Sequence, residues 1–138
     1  MRARKENCPQ VPRTDFVNLF ARSLDMKLSV HRDHFKSPEQ AYDEIEIAGL
    51  YTVEMNIPAV KNESHWHDFS TWIFILEGEL LITDTDQDRV LLAGPGSRVD
   101  VPERVLHCEE SSGYKIIAGM SADPASVTEP VDRDPDTL

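Results

Sequence analysis

Between Asp68 and Gly78 the chain reads D-F-S-T-W-I-F-I-L-E-G, and its middle is apolar at both parities of an extended strand. Side chains alternate along a strand, so Ile73 and Ile75 project to one face and Trp72, Phe74 and Leu76 to the other. A strand that is apolar on both faces is buried on both faces. Something must therefore cover each side of the sheet that holds it: a second sheet, the N-terminal arm or another subunit. The purely apolar run, Trp72 to Leu76, is far too short to cross a bilayer.

The flanking sequence repeats the β pattern. Leu28, Val30 and Arg32 alternate as a first strand. Ile45 and Ile47 alternate with charge, and Tyr51, Val53, Met55 and Ile57 share a face beyond Gly49. This predicts two strands turning near Ala48-Gly49, with Pro58 ending the second. Leu80 to Thr83 and Arg89 to Ala93 flank a polar hairpin loop, and Gly94-Pro95-Gly96 is a tight turn. Val99 and Val101 follow, then Val105, His107 and Glu109 on one face. Ser111-Ser112-Gly113 predicts a turn before a last strand from Tyr114 to Gly119.

Helical signals occur twice. Phe16, Leu19, Phe20 and Leu24 have helical spacing behind Asp15, and Ser37-Pro38-Glu39-Gln40 reads as a helix start. About eight short strands with turn signals every 8 to 12 residues read as an all-β sandwich or barrel. The expected division is an arm over residues 1–40, a barrel over 41–120 and an acidic, proline-containing tail over 121–138.

With 138 residues the chain fits one domain. Its formal net charge of −11 repels phosphate backbones and anionic lipid, which excludes nucleic acid and membrane surfaces as partners. The two cysteines, Cys8 and Cys108, make no dense framework. The charged start M-R-A-R-K-E-N-C lacks the apolar core of a secretory signal, so a cytoplasmic protein is expected.

Upstream of the doubly apolar run stand His65 and His67, two apart and hence on one strand face, as two ligands of one metal ion must be. Phe69, Thr71 and Ile73 share that parity. His107 lies in another strand-like stretch. His31 and His34 have no ligand spacing and read as structural or surface residues. Cys108 and Asp68 have the opposite parity to the histidines beside them. Asp68 could therefore serve only behind a ligand. No phosphate-binding glycine loop and no serine nucleophile motif is present.

These residues resemble the cupins, a superfamily of small jelly-roll β-barrels. The cupin motifs are G-x5-H-x-H-x3-4-E-x6-G and G-x5-P-x-G-x2-H-x3-N. Here His65-x-His67 is followed by three residues, Thr71, six residues and Gly78. Gly96 is followed by five residues, then Pro102, Glu103, Arg104 and, after two more, His107. Thr71 stands at the family's metal-binding Glu, Ala59 at its first Gly, and Arg104 at the Gly of the second motif.

The resemblance implies an all-β cupin jelly-roll barrel with an N-terminal arm and a short C-terminal tail. It implies a divalent transition metal held by His65, His67 and His107. Cupin dioxygenases acting on thiols, diketones and gentisate bind iron with three histidines and no Glu. The expected cofactor is therefore Fe(II), with Zn, Mn and Ni as alternatives, and the expected activity is a dioxygenase of a small organic substrate. The alternatives are a non-enzymatic small-molecule-binding or sensing cupin, and a Zn, Mn or Ni isomerase or lyase. Phe69, Thr71, Ile73, Ile75, Val53 and Met55 are the expected cavity wall, with Glu109 at its rim. A homodimer is expected from the doubly apolar strand and from the family's habit.

Overall fold

The computed structural model describes residues 27–138. The helical spacing behind Asp15 lies outside the described residues. In chain order the elements are β1 (Ser29–His31), α1 (Pro38–Ile47), β2 (Tyr51–Lys61), β3 (Thr71–Gly78), β4 (Leu80–Asp84), β5 (Arg89–Ala93), β6 (Arg98–Val101) and β7 (His107–Met120). Two short 3-10 turns, Pro124–Ser126 and Pro135–Thr137, shape the tail. No helix among the described residues is long and apolar enough to cross a membrane.

The strands form one antiparallel sheet, in the order β1-β6-β3-β7-β4-β5 with β2 also on β7, which curls into a nearly closed barrel. β7 is its spine. Along one edge β2 pairs with it from Tyr51↔Met120 to Lys61↔Glu110. Along the other edge β3 covers Tyr114 to Met120, and β4 covers His107 to Glu110. The change of partner falls at Gly78, where φ is +85°. A Cβ there would stand 2.3 Å from the Gly113 carbonyl oxygen, so only glycine permits the crossing.

The sequence expectation of a turn at Ser111-Ser112-Gly113 is corrected. β7 runs unbroken through these residues because Ser111 and Gly113 still pair with Val60 and Pro58 of β2. Gly113 bends the strand without ending it, at φ +131°. Pro58 likewise does not end β2. Among the described strands β2 pairs only with β7, and an edge strand tolerates a missing N–H.

The second correction concerns Ile45 and Ile47, which are helical rather than extended. Ser37 caps α1 by accepting from the Gln40 N–H, and Pro38 opens its first turn. Ala41 and Ile45, four apart, are buried on one face, whereas Ile47 is 87% exposed. The apparent period of two came from Ile47, which packs against nothing.

Helix α1 covers the outer face of β3. Phe35, Ala41 and Ile45 pack with Phe74 and Ile117, flanked by Tyr42, Leu50, Trp72 and Leu76. The Arg98 guanidinium lies 4.0 Å above the Trp72 ring and also binds Glu44 of α1 and Asp100. Burial pushes the Glu44 carboxyl upward, but its hydrogen bonds to His34 and Arg98 outweigh that and hold it below its usual value. His34 thus anchors the helix at 2.7 Å from Glu44, and His31 lies 3.2 Å from Asp100, both away from His65, His67 and His107.

Inside the barrel a second cluster joins Leu28, Ile73, Ile75, Leu80, Ile82, Val99, Val101 and Ile116. It fills part of the interior, and the remaining space is the cavity described below.

Candidate metal centre

After β2 the chain keeps following β7. Asn62 N–H donates to Glu109 O, and His65 and His107 exchange both backbone hydrogen bonds at 2.8 and 2.9 Å. The two histidines are therefore directly opposed across an antiparallel pair, which brings their side chains to one side. His67 follows two residues later on the same side, and its carbonyl accepts from the Arg104 N–H at 2.8 Å. Arg104 makes that contact at φ +66°, in the left-handed region that glycine favours.

The result is a cluster of three imidazoles. One ligating nitrogen from each of His65, His67 and His107 lies within 4.8 Å of the other two. The ring centroids are 4.4 to 5.0 Å apart. Each Nδ1 faces a backbone carbonyl: His65 faces Glu63 O at 2.7 Å, His67 faces Val131 O at 2.9 Å and His107 faces Val105 O at 2.9 Å. A carbonyl can only accept, so each Nδ1 carries the proton and each Nε2 keeps its lone pair. This is the tautomer and the outer hydrogen bonding that a metal-ligating histidine needs.

Electrostatics favour the neutral forms of His67 and His107. Burial drives the His107 pKa well below the ordinary histidine value, and the neighbouring His65 and His67 drive it further. Burial also lowers His67, against the Val131 hydrogen bond and the nearby carboxylates of Asp132 and Glu109. Protons therefore compete weakly for these nitrogens at neutral pH.

His67 and His107 open onto a cavity of about 440 Å³. Of the residues expected in its wall, Val53, Met55, Phe69, Thr71, Ile73 and Glu109 all line it. Ile75 does not. It is fully buried in the inner cluster, one pleat beyond the cavity floor. His65 lines an adjoining pocket with Asp132 and Arg133. Cys108 lies fully buried at the opposite parity and is disulfide-bonded.

Several lining residues were not singled out from the sequence. Tyr114 lines the cavity, and its parity with Ile116 and Ala118 could have placed it there. Burial, then the Glu109 charge, push its phenol well up, so it stays protonated. Asn62 holds Glu109 through Nδ2 at 3.0 Å. Pro124, Val127 and Val131 close the wall from the tail, and no spacing signal in the sequence points to them.

A curled antiparallel barrel thus carries three histidines on the two stretches where the motif spacing put them, with glycine bends at Gly78 and Gly96, φ +85° and +87°. The fold is a nearly closed antiparallel β-barrel, and the histidines stand together as the motif spacing implied. No family model matches the sequence, and no curated protein matches it. Solved structures similar to this barrel include a DUF861 family protein from Thermotoga maritima. It is 13% identical, over 70% of this chain and 100% of that one, at a TM-score of 0.48. Another is an RmlC-like cupin from Shewanella frigidimarina, 22% identical over 56% of this chain and 71% of that one, at 0.46. A third is Bacillus subtilis oxalate decarboxylase, a protein with Mn(II) centers. It is 18% identical over 64% of this chain and 25% of that one, at 0.47. At such identities the likeness concerns the chain path and assigns no chemistry to this chain.

The donor set itself fits a divalent transition metal. Three neutral imidazole nitrogens converge, each ring is oriented from behind, and imidazole suits Zn, Cu, Fe and Ni. A three-histidine face leaves the other coordination positions open toward the cavity.

Proposed function

We propose that this chain is a cupin and a metal-dependent enzyme, a non-heme Fe(II) dioxygenase of a small organic substrate, with His65, His67 and His107 as ligands. The observation that carries the reading is the convergence of three Nε2 lone pairs, each set by a carbonyl behind its ring, beside an apolar cavity. Bound iron would supply the one-electron chemistry that O₂ requires. The protein's own part is to hold the ion on one face, orient the substrate and exclude water.

The wall indicates what kind of substrate enters. Val53, Met55, Phe69, Ile73, Ile116 and Met120 make it apolar, and among the described residues no lysine or arginine lines it. An anionic group would thus find no cationic partner among these residues. The substrate of this reading is a compact, mainly apolar molecule whose oxygen or sulfur donors chelate the ion itself.

A second reading is supported by Glu109 and Tyr114. Both line the cavity, one as a carboxylate tied to Asn62 and the other as a protonated phenol. Such a pair suits proton transfer in a Zn, Mn or Ni isomerase or lyase. A homodimer belongs to the main reading. α1 covers the outer face of β3, so the support for a dimer now rests on Val90 and Leu92, exposed on edge strand β5.

Metal analysis and oxygen uptake test the proposal. Iron near one atom per chain, with oxygen consumed on thiols, diketones or catechol-like acids, is the expected result. Metal uptake without oxygen consumption across that panel favours the isomerase or lyase reading. A chain that takes up neither Fe(II), Zn nor Mn rejects both and leaves a metal-free binding cupin.

A further inference from the structure

The C-terminal segment does more than close a wall. Arg133 forms a reciprocal backbone pair with Trp66, between the histidines, with N···O distances of 3.2 and 2.9 Å. The Trp66 indole N–H donates to Asp134 O at 2.9 Å, and the Arg133 guanidinium binds Asp68 at 2.8 Å. On the other side the Val131 carbonyl takes the His67 Nδ1 proton. The backbone of Asp132 is therefore held between two fixed neighbours, while its side chain is 60% exposed and can turn.

That side chain lies beside His65. Asp132 Oδ1 is 3.8 Å from His65 Nε2, and 3.7 Å from His67 Nδ1, the nitrogen already bonded to Val131 O. His65 Nδ1 donates to Glu63 O, so Nε2 is the nitrogen left bare. A bare imidazole nitrogen and a carboxylate are both acceptors, and neither can satisfy the other. A cation between them satisfies both. The separation is also of the right order: two donors each about 2.1 Å from one ion stand about 3 to 4 Å apart.

Resting on the reading of the histidine cluster as a metal site, we propose that Asp132 is the carboxylate ligand of this centre, delivered by the C-terminal segment rather than by position 71. Thr71 leaves the centre without the charge that a glutamate there would supply. Asp132 restores one negative charge from the adjoining pocket that it shares with His65, once its side chain turns toward the other two ligating nitrogens. A ligand on an exposed, rotatable side chain can give way to a chelating substrate, whereas the three buried or half-buried histidines cannot.

The experiment uses the full chain, stripped with chelator and titrated with Co²⁺. Affinity is read by competition with an indicator chelator, and coordination by the visible d–d bands. Asp132→Asn is expected to weaken Co²⁺ binding about tenfold or more and to change the band positions or intensity. Asp43→Asn, an exposed acid on α1, is expected to change neither. Wild-type affinity and bands in Asp132→Asn would overturn the proposal and leave Asp132 as a surface carboxylate beside His65. Weaker binding with unchanged bands would also overturn it, because the charge would then act at a distance. A wild-type chain that takes up no Co²⁺ would overturn both this proposal and the metal reading beneath it.

Discussion

At His107 one hydrogen bond decides the chemistry. Its Nδ1 proton is fixed on Val105 O, and the ring is only 1% exposed, so Nε2 is held as the lone-pair nitrogen in a poorly hydrated site. His107→Ala is therefore expected to abolish stoichiometric metal uptake, as measured by metal analysis. The cavity it leaves should cost about 2 kcal/mol of stability, read separately by urea unfolding. The same burial gives the metal-free protein a pH dependence. His67 and His107 have pKa values below the unfolded value near 6.5, so between those values the unfolded chain binds more protons than the folded one. Stability should be flat above about pH 6.5 and fall as pH drops below it, and urea midpoints at about pH 7.5 and 5.5 check the sign. The shared face of His65 and His67 was legible from their spacing alone. Their tautomers were not, because the carbonyls of Val131, Glu63 and Val105 that set them carry no side-chain signature. Asp132 was hidden for a related reason: it lies 65 residues from His67, in a tail whose composition shows no period.

Among the elements, β7 and α1 show where pattern reading succeeds and where it fails. The strands β3 to β6 were legible because each alternates or is doubly apolar and is bounded by glycine, proline or acidic turns. The turn expected at Ser111–Gly113 failed because small residues mark a bend as readily as an end, and only the ladder to β2 distinguishes them. The strand expected at Ile45–Ile47 failed because two isoleucines two apart are too short a sample of period. The seat of Ile45 against Phe74 and Ile117 settles its conformation. Ile45→Ala should lower stability by about 2 to 4 kcal/mol. Ile47→Ala, at an exposed position, should stay within about 0.5 kcal/mol, and thermal melts of the two together test the helix register. Gly78→Ala meets both a positive φ and the Gly113 carbonyl, and about 3 kcal/mol or more is expected to be lost, seen as a melting point lowered by about 10 °C.

On the scale of the whole molecule, the layers are the barrel, a helix on one face and a tail across the mouth. The need for a cover on β3 was legible from its two apolar faces, but the identity of the cover was not. The helix comes from the same chain, a possibility that the strand's own residues cannot express. For a homodimer through the β5 edge, sedimentation is expected to give twice the 15.6 kDa chain mass, and Leu92→Glu should return the monomer. A wild-type chain sedimenting at the monomer mass would refute the dimer.

The long strand β7 has a kinetic consequence. It is hydrogen-bonded on both edges along most of its length, so its amides belong to the slowest-exchanging part of the protein. His107 sits at one end of that strand and His65 is pinned to it, whereas the His67 ring is braced by the chain's last residues. Two imidazoles thus move on the timescale of global opening and the third on that of the segment around Val131. Ion release from such a centre should be set by how often that segment detaches from Trp66, at a rate far above that of unfolding and insensitive to substitutions that weaken the spine.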